Sequence, residues 1–232
     1  MTRAVLALLL AASLRGCVAY EFEHEFWVRV DGSGTVNVTA RPELWTAMKG
    51  LPRTDDGRDA VRALFEASGM RVRRVTLTHR QGRPYLFVSA DFPDVSRLAG
   101  TPAFPDLVLS LRPDGDNLRL DGRWARPPGL PDPGPDQRDG LMAVRFHLPS
   151  KVYSHRNAFA GVERGNIVGW RETVVEGLAG RPLDVGALMD RRSILMSTVG
   201  LFAIAIAAAL AILASVLWWV VRKGRRASAA VR

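Results

Sequence analysis

The sequence predicts an α+β protein: a mostly antiparallel, curved sheet with two or three short helices, followed by one C-terminal transmembrane helix. Three observations carry this. Apolar and polar residues alternate over Tyr20–Val30 and again from Val36 to Ala40, the period of two that marks half-buried strands. Strand, helix and hairpin signals then mix without a strand–helix–strand rhythm, which argues for antiparallel pairing. Finally, 29 consecutive residues, Ser193–Val221, carry no charge. A hydrocarbon core needs only ~20 apolar residues at ~1.5 Å each.

The first residues read as an export signal. Met1-Thr2-Arg3 is positive, and the eleven residues Ala4–Leu14 are predominantly apolar but too few to span comfortably. Residues 1–16 are therefore expected to be a signal peptide. Leu14-Arg15-Gly16-Cys17 resembles the bacterial lipobox, in which cleavage leaves a diacylated cysteine. Arg15 departs from that pattern, which keeps a plain signal cleaved after Ala19 as the alternative. Cys17 is the only cysteine, so no intramolecular disulfide and no multi-cysteine zinc site can form.

Residues 17–190 form the expected extracytoplasmic body. Its first strand places Tyr20, Phe22, Phe26, Val28 and Val30 on one face and Glu21, Glu23, Glu25 and Arg29 on the other. Asp31-Gly32-Ser33-Gly34 supplies the turn into a second strand. Pro42–Lys49 predicts a short helix with proline in its first turn. Over Asp56–Ser68, Ala60, Val61, Leu64, Phe65 and Ser68 share one helical face, and Gly69 stops the run. Strands follow at 72–77 and 85–91, joined through Gln81-Gly82. Asp94–Leu98 predicts one or two helical turns. Leu107–Leu111 and Leu118–Trp124 predict a hairpin across Asp114-Gly115-Asp116. The stretch 125–140 has five prolines and three glycines and reads as a loop. Strands at 141–148 and 165–174 end the body's predicted elements.

Residues 193–221 are expected to span the membrane, and 222–232 to form a basic tail. Trp218 and Trp219 stand at the end of the span, where indole rings favour the headgroup region, and Arg222, Lys223, Arg225 and Arg226 follow. These six residues are the expected membrane-interface anchors. By the positive-inside rule the tail is cytoplasmic, although Arg191 and Arg192 sit on the other side.

Charge distribution excludes a nucleic-acid reading. The formal charge is +9, yet nine of the 32 basic side chains lie in residues 1–17 and 191–232, where there is no acid. The remaining 23 basic groups match the 23 acidic ones, so the body is formally neutral. No nucleic-acid partner is expected.

No catalytic, cofactor or metal constellation is legible. His24, His79, His147 and His155 fit no compact metal spacing. His24 falls on the apolar face of the first strand and reads as a hydrogen-bonded, partly buried histidine. His147 and His155 are eight apart across Pro149, which leaves a shared site open. Glu21, Glu23 and Glu25 read as the wet side of a strand. Asp114-Gly115-Asp116 begins like a calcium loop but lacks the later ligands. Gly32-Ser33-Gly34 lacks the frame of a nucleophile elbow.

One segment differs in kind. A strand ends at Pro149, a polar turn carries Asn157, and Gly165-Asn166-Ile167-Val168-Gly169-Trp170 begins a strand closing on an aromatic. This resembles the closing hairpin of the LppM-like bacterial lipoproteins, in which such a strand precedes a C-terminal membrane helix. The resemblance covers roughly residues 144–226; Arg15 and the 125–140 insert depart from it. It implies a small β-rich envelope domain without enzymatic activity that binds lipid or glycolipid. The expected protein is thus single-pass in a bacterial cell membrane. Its partners would be the bilayer and a lipid, glycolipid or envelope protein near it. Two other readings stay open. One is a structural subunit associating through Gly200, Ala203, Ala207, Ala211 and Ser215, a small-residue stripe on the membrane helix. The other is a hydrolase, for which no cluster is visible.

Overall fold

The computed structural model describes residues 20–52, 56–135, 138–192 and 194–229. Residues 1–19, with the expected signal peptide and Cys17, lie outside the described residues. The body is α+β, as the patterning predicts, but its strands divide into two sheets rather than one curved sheet. Period-two residues fix which face each strand buries; they do not reveal which strands share a ladder.

The larger sheet has seven strands. These are β1 (Phe22–Val28), β2 (Gly34–Ala40), β3 (Arg71–Arg80), β4 (Arg83–Phe92), β7 (Leu141–His147), β9 (Val162–Glu163) and β10 (Ile167–Thr173), in the order β3-β4-β2-β1-β7-β10-β9. All its pairs are antiparallel except β1 with β7. The smaller sheet holds β5 (Leu107–Asp114), β6 (Asn117–Trp124), β8 (Val152–His155) and β11 (Leu183–Asp190), ordered β5-β6-β11-β8 and antiparallel throughout. Helix α1 spans Pro42–Lys49, α2 Arg58–Ala67, α3 Val174–Leu178 and α4 Ile194–Ala229, with a 3-10 turn at Val95–Arg97. The strand expected to end the body is followed by two elements that local pattern did not reveal, α3 and β11. Strands β8 and β9 were likewise not anticipated. The described part of 125–140 is irregular.

The inner face of the larger sheet carries the core. Phe22, His24 and Phe26 project from β1 toward Trp124 of β6, Phe104, and Trp45 of α1. Phe26 stacks on Phe146 at 4.9 Å, and Phe146 meets Trp170 edge-on at 6.1 Å. Trp45, Trp124 and Trp170 are fully buried, and each indole N–H donates: to the Leu86 carbonyl, to Asp106 and to the Arg156 carbonyl respectively. Aromatic side chains thus fill the space between the sheets and helices, where burial at about 25 cal/mol per Å² supplies most of the driving force.

Chain direction sets which end of the body leads into helix α4. Asp190, at the end of β11, donates its N–H to the Lys151 carbonyl; Val152 donates to Gly165 and Leu148 to Asn166. His147 pairs with both Trp27 and Ile167. One end therefore gathers the end of β1, residues 147–152 and 165–167, and the exit into α4. The other end gathers Glu21, bonded to the Leu141 carbonyl, together with α3 and the proline-rich segment. There the Arg126 guanidinium donates to the carbonyls of Ala47, Leu178 and Leu130. The chain thus enters the body at one end and leaves it at the other. The eight residues of β11 separate these ends by about 25 Å at ~3.3 Å per residue.

Candidate functional site

Three places concentrate polar chemistry: the second holds the acids and His147 that the sequence singled out, the third holds His155, and the buried ion pair of the first was not singled out. The first is buried. Lys49, in the last turn of α1, donates to Asp106 at 2.7 Å, and Trp124 donates to the other carboxylate oxygen at 2.8 Å. The ammonium lies 4.6 Å from the Phe104 ring centroid. Desolvation lowers the Lys49 pKa, and the Asp106 carboxylate opposes that shift. The pair ties α1 to the segment before β5 and to the end of β6.

His24 adjoins this group. Its ring packs 4.8 Å from Trp124 and 4.9 Å from Phe22, it is fully buried, and neither nitrogen has a hydrogen-bond partner. The expectation of a bonded, partly exposed histidine is therefore corrected. Burial, and then the charge of Lys49, holds its pKa well below the usual 6.5. Nothing in the cluster opens to solvent: Lys49 and Asp106 both have fully buried side chains. Its work is structural.

The second place is the outer face of the larger sheet, where the acids of the first strand lie largely covered rather than wet, with 13% of the Glu21, 20% of the Glu23 and 23% of the Glu25 side chain exposed. The Glu25 carboxylate accepts from His147 Nε2 at 2.7 Å, and Arg145 lies 3.8 Å from Glu25 and 4.0 Å from Glu23. His147 stacks on Trp27 at 4.6 Å between centroids. Glu21 pairs with Arg41 at 2.9 Å and accepts from Tyr85 at 2.6 Å; burial and that bond push the Tyr85 pKa to about 12. Glu23 and Glu25 are thus matched by Arg145 on the neighbouring β7, the arrangement that stabilises cross-strand pairs, and Glu21 by Arg41 just beyond β2. His147 and His155 do not meet. His155 lies on β8 of the smaller sheet and accepts from the Ala158 N–H.

The third place follows β11, where the two sheets approach. The segment after β8 crosses between them: Arg156 donates its N–H to Gly186 of β11, and Phe159 donates to Gly169 of β10. Two polar clefts flank Asn157, whose φ is 53°. One, of about 340 Å³, is lined by Arg119, Asp121, Ser154, His155, Arg156 and Asn157 over the backbone of β11. The other, of about 290 Å³, holds Arg171, Glu172, Glu176, Arg181 and Asp184. Glu172 is the perturbed group here. Burial raises its pKa, the neighbouring Glu176 carboxylate adds to the rise, and together they bring it to about 7. Glu176 is held low instead, first by the Thr173 N–H of the α3 capping box.

The folded pKa of Glu172 lies above the ordinary 4.5, so the folded chain keeps a proton that the unfolded chain releases. That stabilisation is complete below pH 4.5 and lost as pH rises through 7. Glu172→Gln, which fixes the neutral form, is expected to raise stability at pH 8 by about 1 kcal/mol, a figure discounted for partial exposure. It should change nothing at pH 4. Thermal midpoints of both chains at the two pH values check this.

The residues of the closing-hairpin motif have structural tasks. Gly165, with φ 79°, and Arg164, with φ 50°, turn the chain. The Asn166 side chain donates to the Leu148 carbonyl at 2.8 Å. Trp170 is core. Asp114-Gly115-Asp116 is a hairpin turn, with Asp114 opposite Asn117. No group of three or more metal-ligating side chains lies together among the described residues.

Helix α4 follows β11 after three residues. Its window Thr198–Trp219 has a mean hydropathy of 2.6, long and apolar enough to cross a membrane, and none of it is buried against the body. Trp218 and Trp219 are exposed, and the Arg222 guanidinium lies 4.9 Å over the Trp218 ring. Lys223, Arg225 and Arg226 continue the helix.

No family model matches the chain, and no curated protein matches it. Among solved structures, it is similar to the folded domain of Mycobacterium tuberculosis LppM determined by NMR. That likeness has 16% identity and a TM-score of 0.41, covering 75% of this chain and 92% of that one. This is a weak structural resemblance.

Proposed function

We propose that the chain is a single-pass envelope protein whose body stands outside a bacterial cell membrane and binds, without catalysis, a lipid, glycolipid or partner protein at the bilayer surface. The observation that supports this most is α4. A helix of 36 residues whose apolar window leaves every side uncovered has no stable place in water, because ~20 such residues favour hydrocarbon. The basic residues that follow it favour a cytoplasmic tail. The interior of the body is filled by aromatic rings, while the clefts along β11 are polar. A ligand would therefore be held by its polar part rather than by an acyl chain swallowed between the sheets.

Acylation of Cys17 remains part of this reading, and the fold constrains it. Tyr20 emerges at the end of the body away from Asp190, about 25 Å off by strand length. An acylated Cys17 and α4 could share one leaflet only if the strands lay along the bilayer.

Native mass spectrometry of the chain extracted from membranes tests the reading. Retained lipid lost on mild activation is the expected result. A bare polypeptide under several extraction conditions, together with recovery from the soluble fraction, would refute it. The same spectrum reads acylation of Cys17 by comparison with Cys17→Ala.

A further inference from the structure

The cleft bounded by β6, β8 and β11 has an imbalance of charge that the ion pairs around it leave standing. Asp121 lies 3.1 Å from Arg112 and 3.7 Å from Arg156, so one carboxylate serves two guanidiniums. Arg119 pairs with Asp114. Three arginines thus share two acids, and Asp121 is the only carboxylate lining the cleft among the described residues. The other side chains that line it, Ser154, His155 and Asn157, can donate hydrogen bonds without adding negative charge. Gly186 lies on the floor, where an added Cβ would meet the Arg156 Cβ at 3.4 Å and Asp121 at 3.6 Å, ordinary contact distances.

We infer that this cleft binds a phosphate group carried as a monoester or diester. Arginine forks match phosphate oxygens in pairs, and charge-assisted bonds of this kind are the strong ones. A phosphate would give Arg156 a partner besides the Asp121 carboxylate it shares with Arg112, and would meet Arg119 on the cleft wall, with Ser154 and Asn157 donating to its remaining oxygens. The inference rests on the membrane reading for the source of that phosphate. Leu188 on the floor is six residues from Ile194, where α4 begins, so the cleft stands within ~20 Å of the bilayer even with that chain extended. A phosphate in a projecting headgroup, or one on a soluble compound, could occupy it.

The experiment uses the full chain in phosphatidylcholine nanodiscs. Equilibrium dialysis measures binding of radiolabelled sn-glycerol 3-phosphate, a monoester, and glycerophosphoglycerol, a diester. Saturable binding of at least one is expected, weakened tenfold or more by Arg156→Gln and by Arg119→Gln. Arg123→Gln should leave it unchanged, because Arg123 pairs one-to-one with Asp184 outside the cleft. Asp121→Asn, which removes the competing carboxylate, should tighten binding severalfold. That gain cannot come from a merely damaged fold. Absence of saturable binding, equal loss in Arg123→Gln, or weaker binding by Asp121→Asn would each overturn the inference.

Repeating the measurement in phosphatidylglycerol nanodiscs separates the sources. Reduced probe affinity supports the inference with a lipid headgroup as occupant; unchanged affinity supports it with a soluble phosphate compound. Should the chain fail to enter nanodiscs yet bind the probe in solution, the membrane reading falls and the phosphate site survives.

Discussion

Lys49→Met is expected to destabilise the body by about 3–5 kcal/mol, the usual cost of stranding one member of a buried ion pair. The Asp106 carboxylate would keep only the Trp124 N–H, at 2.8 Å, inside a region closed to water. Desolvation of that charge, rather than loss of the Lys49 contact itself, is the larger part of the effect. Adding Asp106→Asn removes the stranded charge and retains an acceptor for Trp124. The double variant should therefore recover more than half of the loss. Denaturant unfolding in detergent, followed by tryptophan fluorescence, measures both. If the double variant were no more stable than Lys49→Met, the electrostatic account of this cluster would be wrong.

Acid should weaken the fold through His24. Its folded pKa is depressed, so the unfolded chain takes up a proton near pH 6.5 while the folded chain stays neutral. The stability present above pH 6.5 is then lost as pH falls, by about 1.4 kcal/mol per unit until the folded pKa is reached. A cation at this position would face Lys49 at close range, with aromatic rings on its other sides and no hydrogen-bond partner. Between pH 6.5 and 5 the wild-type chain should lose about 2 kcal/mol relative to His24→Leu. That variant removes the two unpartnered nitrogens and keeps an apolar side chain in the core. Parallel pH profiles of the two chains would refute this. Glu172 acts in the opposite sense, because its folded pKa is raised, so the comparison must be made within the same Glu172 background.

What could be read in advance depended on how local each determinant was. The first hairpin was legible because Phe22, Phe26, Val36 and Val38 alternate around Asp31–Gly34, and both strands obey that pattern. Helix α2 was legible from its apolar face, α4 from uninterrupted apolar length. Strand β11 was not. Its sequence, LDVGALMD, buries Val185, Ala187 and Met189 at alternate positions, but the central Gly186 and the apolar Leu188 fall on the other face and hide that period in the sequence. Helix α3 has five residues, too few for a helical period to repeat. The buried pair was hidden for a different reason. Lys49 closes a short helix, where a cation ordinarily complements the dipole, and its partner is 57 residues away. Glu172 reads as one more strand acid until α3 folds Glu176 back beside it. The arginine-rich cleft likewise draws on three strands, β6, β8 and β11, and the segment after β8. The long apolar helix was carried by composition; polar chemistry in the body was carried by tertiary contact.

The most direct test of the central claim is cysteine accessibility in intact cells. With Cys17 replaced by Ser, one cysteine is placed at Val30, exposed at the end of the body nearest α4, and in a second chain at Ser228 in the tail. A membrane-impermeant maleimide should label the Val30 position in intact spheroplasts, and the Ser228 position only after lysis. Labelling of Ser228 but not Val30 before lysis would invert the topology, and recovery of either chain from the soluble fraction would remove the bilayer from the account.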